Sequence, residues 1–373
     1  MLPTSHPDFV PPFCPRPSCV HHRDPSGWTF HRDGTHQREA EPRVIRRFRC
    51  TSCGRCFSTQ TFDTTYWLKR PDLQKPLFNG IVACSGFRQL GRSLNVAASS
   101  LQRQTSRLGR HCLLFNELHR PTGPPSEPLV LDGLLSFEYS QYWPFETNVI
   151  VGKESYFTYG FTDSELRRSG TMRPDQKARR ERLERVHGKP DPRATRKAVE
   201  ALVRLVIPEP ASKDGRGLAI TLLTDMHRAY PRALARLPHA ITHLTVTSRR
   251  CRTRRNPMHA VDHFDLLVRH SSANHKRETL AFSKRRQGSH ERMAVMITWR
   301  NFVKRKSERR RDSLTPAQLL GLTKERMSIE DILIRRLFPS QVSLPSPHDD
   351  YYWRRIPTRQ VPDGTTHRLE YAA

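Results

Sequence analysis

The chain has 373 residues and carries 64 Lys and Arg against 36 Asp and Glu, a formal charge of +28. An excess of that size favours a polyanionic partner, because Lys and Arg displace counterions from phosphates and give tight, salt-sensitive binding. No stretch has the roughly 20 apolar residues of a membrane-spanning helix, and the start, MLPTSHPDFVPPFCP, has no charged-then-apolar export pattern.

Residues 10–60 are rich in Cys, His, Pro and Arg, and five of the eight cysteines lie before residue 57. Cys14 and Cys19 form one pair, and Cys50 and Cys53 a second within FRCTSCG. Two paired thiolate knuckles make a tetrahedral sulfur site that suits Zn²⁺, and a segment this poor in apolar residues needs such a staple to fold. A zinc ribbon is expected, its thiols kept by a reducing cytosol. The Cys14–Cys19 spacer exceeds the usual two residues, so His21, His22 or Cys56 are alternative ligands.

Residues 61–120 read as helices with a helix-turn-helix. Phe87–Leu94 predicts a short helix, Asn95–Ala97 a turn and Ala98–Arg110 a second helix. Leu90, Leu94, Val96, Leu101 and Leu108 supply an apolar seam, leaving Ser99, Ser100, Gln102, Arg103, Ser106, Arg107 and Arg110 for water or a groove. Ser99, Ser100, Gln102, Arg103 and Arg107 are the candidate DNA-binding residues, since Gln pairs adenine and Arg pairs guanine in the major groove.

After the linker PTGPPSEP, residues 126–310 alternate strand and helix patterns. LVLDGLLSFEY is a β-rich run, and TNVIVGKESYFTYGFTDS reads as two strands joined at Gly152-Lys153. A long charged helical stretch ends in ATRKAVEALVRLVIP. GLAITLLTDM and ITHLTVTSRR are further strands, separated by HRAYPRALARL, and VDHFDLLVRH opens a final helix. The order β-β-β-α-β-α-β-α predicts an α/β domain, a mixed sheet with helices on its faces. Residues 311–373 form a basic, Pro-dotted segment in which Tyr351, Tyr352 and Trp353 either stack on DNA or fill a small hydrophobic contact.

Asp132 lies inside an apolar strand and Asp225 ends another. An acid there is costly unless paired or metal-bound, although a turn or cap role is the common use of Asp at a strand end. Two such acids on adjacent strands would share divalent cations, and hard Mg²⁺ favours carboxylate oxygen. A third acid is expected from the last helix, where Asp262 and Asp265 are three residues apart. Glu138 is a further candidate ligand, Glu291 lies further along, and Glu278, among Lys276, Arg277 and Lys284, reads as a surface group.

Together these segments resemble bacterial insertion-sequence transposases with an N-terminal zinc ribbon, a helix-turn-helix and an RNase H-like "DDE" core. The resemblance spans about residues 12–325 and rests on Cys14, Cys19, FRCTSCGRCFS, FRQLGRSLNVAASSLQRQ, LVLDGL and TDMHRAYPRAL. RHSSANHKRETLAFSKR and ERMAVMITWRNFVKRKSERR resemble that family's closing helices. It implies an RNase H-like fold, with Asp132 and Asp225 as the first two catalytic carboxylates on two Mg²⁺ ions. The family's third acid is usually Glu; here the matching position holds Asp262. The implied partners are double-stranded DNA, at element ends and target, and further copies of the chain, in a bacterial cytoplasm at the nucleoid. The implied activity is DNA cleavage and strand transfer. The alternatives are a non-enzymatic DNA-binding regulator derived from a transposase, and a nuclease with the same core.

Overall fold

The computed structural model describes residues 3–209 and 220–356. Near the N-terminus, β1 (Phe30–Gln37), β2 (Val44–Cys50) and β3 (Cys56–Ser58) form a three-stranded antiparallel sheet in the order β1-β2-β3. Alternation along β2 and β3 turns Phe48 and Phe57 to one side, where they join Phe9, Phe13 and Phe62 in a small aromatic core. Phe13 stands edge-on to Phe62 at 5.4 Å, an arrangement that ring quadrupoles favour.

Three helices follow: α1 (Gln74–Val82), α2 (Phe87–Leu94) and α3 (Ala98–Leu118). Asn95 ends α2 in a left-handed conformation (φ 50°), which Asn tolerates better than most residues. Of the expected seam, Leu90, Leu101 and Leu108 are buried, and Leu94 and Val96 are half-buried. The second helix runs past the expected Arg110 to Leu118, because Cys112, Leu113, Leu114 and Phe115 continue its buried face and no breaker precedes Pro121.

The larger sheet contains β4 (Leu129–Phe137), β5 (Pro144–Gly152), β6 (Thr158–Glu165), β7 (Ile220–Thr224) and β8 (Ile241–Thr245), in the order β6-β5-β4-β7-β8. The first three strands form an antiparallel meander, and β7 and β8 run parallel to β4. β8 ends five residues earlier than expected, at Thr245; residues 247–257 are turns dense in Arg. The charged stretch between β6 and β7 is two helices, α4 (Pro174–His187) and α5 (Ala194–Val206), split where Gly188 takes φ 80°.

After β7 come α6 (Ala229–Leu234), then β8, α7 (His259–Ser271) and α8 (Arg286–Thr298). A π-helical turn, Trp299–Val303, prolongs α8. The closing helix stops there, short of the basic run that ends at Arg310. α8 packs along α3 so closely that a Cβ on Gly109 would lie 2.6 Å from the Glu291 backbone.

The C-terminal segment is folded onto the rest of the molecule as far as residue 356. It contains α9 (Pro316–Leu319), α10 (Ile329–Leu333) and α11 (His348–Tyr352). Phe338 completes the N-terminal aromatic core, and the Arg336 amide donates to the Phe62 carbonyl at 2.8 Å. Tyr351 and Tyr352 are buried, and Trp353 packs partly buried beside them, so these rings fill a hydrophobic contact. The Tyr351 hydroxyl donates to Asp163 Oδ1 at 2.6 Å.

Candidate functional site

β4 and β7 lie side by side with Leu131 opposite Thr224. The next residue on each chain is an aspartate, and strand alternation brings Asp132 and Asp225 to the same face. Asp132 Oδ1 accepts from the Gly133 amide at 2.8 Å. Asp225 Oδ1 accepts from the His227 amide at 2.8 Å, a turn contact that leaves its second oxygen for other work. α7 buries Val261, Phe264 and Val268 against β4 and β5, which holds the half-buried Asp262 and Asp265 beside them. Arg252, from the loop after β8, reaches Asp262 at 3.8 Å.

The electrostatics tie these groups into one cluster. Burial, then repulsion from Asp225 and Asp262, pushes the Asp132 carboxyl up to about 6. Burial, then Asp132, pushes Asp265 up to about 8, against the pull of Arg269 and Arg252. A fifth acid, absent from the sequence expectation, feels the group from the other face of the sheet: Glu146 on β5 shares the Gly133 face rather than that of Asp132, and is pushed up to about 7 by burial, then by Asp132 and Asp225. Buried Tyr230 is raised by burial and by the same carboxylates. The sequence signal for Glu146 is the glycine of LVLDGL. A Cβ on Gly133 would lie 2.3 Å from the Glu146 carboxyl carbon, so only glycine leaves room for this acid.

The other acids lie elsewhere. Glu138 accepts from the Arg286 amide at 2.9 Å and pairs with its guanidinium, in a buried network with Asp163 and Glu165. Glu291 is buried between Ser106 and Arg354. Glu278 is exposed.

The second cluster is made of sulfur. Cys14, Cys19, Cys50 and Cys53 bring their Sγ atoms within 4.8 Å of one another, the only such group of His, Cys, Asp or Glu among the described residues. Three are buried and Cys53 is half-buried. Burial raises the Cys50 thiol, but the Trp28 indole at 3.2 Å and the Cys53 and Ser52 amides outweigh it and hold Cys50 down to about 6. Burial raises Cys14. Four thiols at this spacing could hold a structural metal such as zinc. The alternative ligands fall away. The His22 ring is committed to the Cys14 carbonyl and the Ser340 hydroxyl, both at 2.7 Å; His21 turns to the Asp24 carbonyl; Cys56 is exposed.

On the helix-turn-helix, Ser99, Gln102 and Arg103 are exposed and Ser100 is half-buried. Arg107 departs from the expectation of a groove-facing residue. It lies over the Tyr66 ring at 3.9 Å and donates to the Tyr66 carbonyl at 2.6 Å, so it pins α3 to the preceding loop. Ser106 is buried and donates to Glu291 at 2.9 Å.

No helix among the described residues is long and apolar enough to cross a membrane. Comparison of the chain with models of known protein families and with curated proteins finds no match.

Proposed function

We propose that this protein is a DNA transposase of the insertion-sequence type, cutting and joining DNA at the ends of a mobile element. The reading rests above all on one observation: Asp132, inside β4, adjoins Asp225, the residue just past the end of the parallel β7, with Asp262 and Asp265 beside them on α7. A three-strand meander with two parallel strands added beside its first member is the layout of an RNase H-like sheet. The three-stranded N-terminal sheet with its four cysteines reads as a zinc ribbon, with Zn²⁺ on Cys14, Cys19, Cys50 and Cys53.

The acid cluster suits hard divalent cations. It offers only carboxylate oxygens, and their mutual repulsion is the kind that Mg²⁺ relieves. Mg²⁺ bound there would supply charge stabilisation to the attacking and leaving oxygens of a phosphodiester exchange. Asp132 and Asp225 would hold it from the sheet, and Asp265 is the better third partner. Asp132 raises Asp265 more than any other charge does, whereas Asp262 leans toward Arg252.

The remaining work is positioning. Ser99, Ser100, Gln102 and Arg103 present a polar face to the element end. Arginines in 247–257 and the basic run at 304–311 grip the backbone. Water cleaves the phosphodiester at the element end, and the freed 3′-hydroxyl attacks target DNA in line. Two ends must be held together, so the active form contains more than one copy of the chain.

A second reading, a DNA-binding regulator without strand transfer, is favoured by the aspartate where such cores usually carry glutamate. Asp132→Asn and Asp225→Asn separate the two. Each should bind end DNA like the parent and lose Mg²⁺-dependent cleavage. Cleavage retained in both variants overturns the catalytic assignment, and a parent that binds but never cuts supports the regulator.

A further inference from the structure

Beside the acid cluster lies an open cavity of about 550 Å³, between the end of β4, the chain leaving β6, and the turn after α7. Its size is in the range that takes a drug-sized ligand, roughly 300–1,000 Å³. Its floor is apolar, with Leu135, Phe137, Pro144 and Leu166, and Leu135 is 55% exposed although it sits in a strand. Its rim is cationic, with Arg269, Lys276 and Arg277, and no carboxylate lines it. None of these three cations forms an ion pair among the described residues, whereas Arg167 on the far wall is matched by Glu184 at 2.8 Å.

The rim is built rather than incidental. Asn274 and His275 are buried, and both bond Ser289 on α8, at 3.3 and 3.0 Å. The Arg269 guanidinium donates to the His275 carbonyl at 3.4 Å. Lys276 and Arg277 therefore leave a pinned turn with their heads in solvent. Arg269, in the cavity wall, follows Asp265 by one turn of α7, which sets that wall next to the α7 acids.

We propose that this cavity takes one nucleotide of a single DNA strand, drawn out of the helix next to the reacting phosphodiester. A duplex is far too wide to enter. A lone base fits the apolar floor, and its phosphates meet Lys276, Arg277 and Arg269. Unstacking a base costs a few kcal/mol, and a stacking floor with matched cations offsets that cost. Holding the strand there would fix the neighbouring phosphodiester over the acids. The inference rests on the nucleic-acid reading of the acid cluster.

The test uses the full chain in EDTA, so that no cleavage intervenes, and follows fluorescence anisotropy of a short labelled single strand. Lys276→Glu with Arg277→Glu, both exposed, should weaken binding roughly tenfold more than the charge-matched, exposed pair Arg182→Glu with Arg185→Glu on α4. A strand with one abasic position should bind the parent roughly tenfold more weakly than the intact strand, the scale of one stacked base. Leu135→Asp should erase that difference. Equal losses in the two double variants, an abasic strand that binds as well as the intact one, or free thymidine monophosphate that competes as well as the strand would each overturn the proposal. A protein that passes these tests but never cuts DNA keeps the pocket and loses the transposase reading; one that cuts but fails them does the reverse.

Discussion

The two candidate metal centres are built on opposite plans. The cysteines converge within 4.8 Å inside a small module whose core is a handful of phenylalanines. The carboxylates are spread over a five-stranded sheet and the helix α7 beside it, backed by a large aliphatic core. Protonated thiols can crowd at little cost, whereas carboxylates crowd only by taking up protons or cations. On the proposed reading, the first region needs a metal for its fold, and the second needs one only for its chemistry.

The largest effect expected from that contrast is on the cysteine side. Chelation, or Cys50→Ser, should unfold residues 3–62 and release the segment around Phe338, because both share one aromatic core. Limited proteolysis should then cut near 334–345; an unchanged digestion pattern would show that the module stands without metal. On the acid side, Asp132→Asn should cost more than about a hundredfold in cleavage rate while leaving the fold intact. In EDTA at pH 8 it should even raise the melting temperature, since one of the repelling charges is gone.

Next comes a pH effect whose sign follows from the raised carboxyls. Asp265 titrates near 3.9 when unfolded and about 8 when folded, so it stabilises the fold fully below its unfolded value. That stability is lost as pH rises through 8. Between pH 5 and 8 the metal-free protein should lose stability faster than Asp265→Asn, as read by denaturant midpoints. Mg²⁺ should stabilise the parent more at pH 8 than at pH 5. Parallel pH profiles for parent and variant would mean that Asp265 is not buried among like charges.

Smaller changes sharpen the comparison further. Gly133→Ala places a methyl on the Glu146 carboxyl and should cost about 1–3 kcal/mol by crowding. Gly133→Ala combined with Glu146→Ala should recover most of that loss. Arg107→Ala should lower stability modestly and leave the salt dependence of DNA binding unchanged, because its guanidinium is spent on Tyr66. A shallower salt slope in this variant would return Arg107 to the DNA face.

Much of the architecture was legible from local pattern. Apolar spacing placed α2 over Phe87–Leu94 and found the five strands of the larger sheet along the chain, though not their order in the sheet. The two cysteine pairs and the strand-borne Asp132 and Asp225 stood out because apolar or metal-like surroundings make such residues conspicuous. Glu146 did not. It lies in a strand with no unusual spacing, and only the missing side chain of Gly133 across the ladder reveals its place. Glu138 looked like a ligand because it follows Asp132 in one run, yet Arg286, far along the chain, claims it.

By itself, then, the order of residues determined the charge, the helix and strand periods, and which cysteine pairs and strand aspartates stand out as candidates. These depend on neighbours a few positions apart, where period and propensity act. Tertiary structure alone decided that Arg107 turns inward, that Phe338 closes the N-terminal core, and that a fifth acid and a cationic cavity lie near the aspartates. Those outcomes come from contacts between residues tens to hundreds of positions apart. Burial and Coulomb energy act on distance in space, which no local pattern encodes.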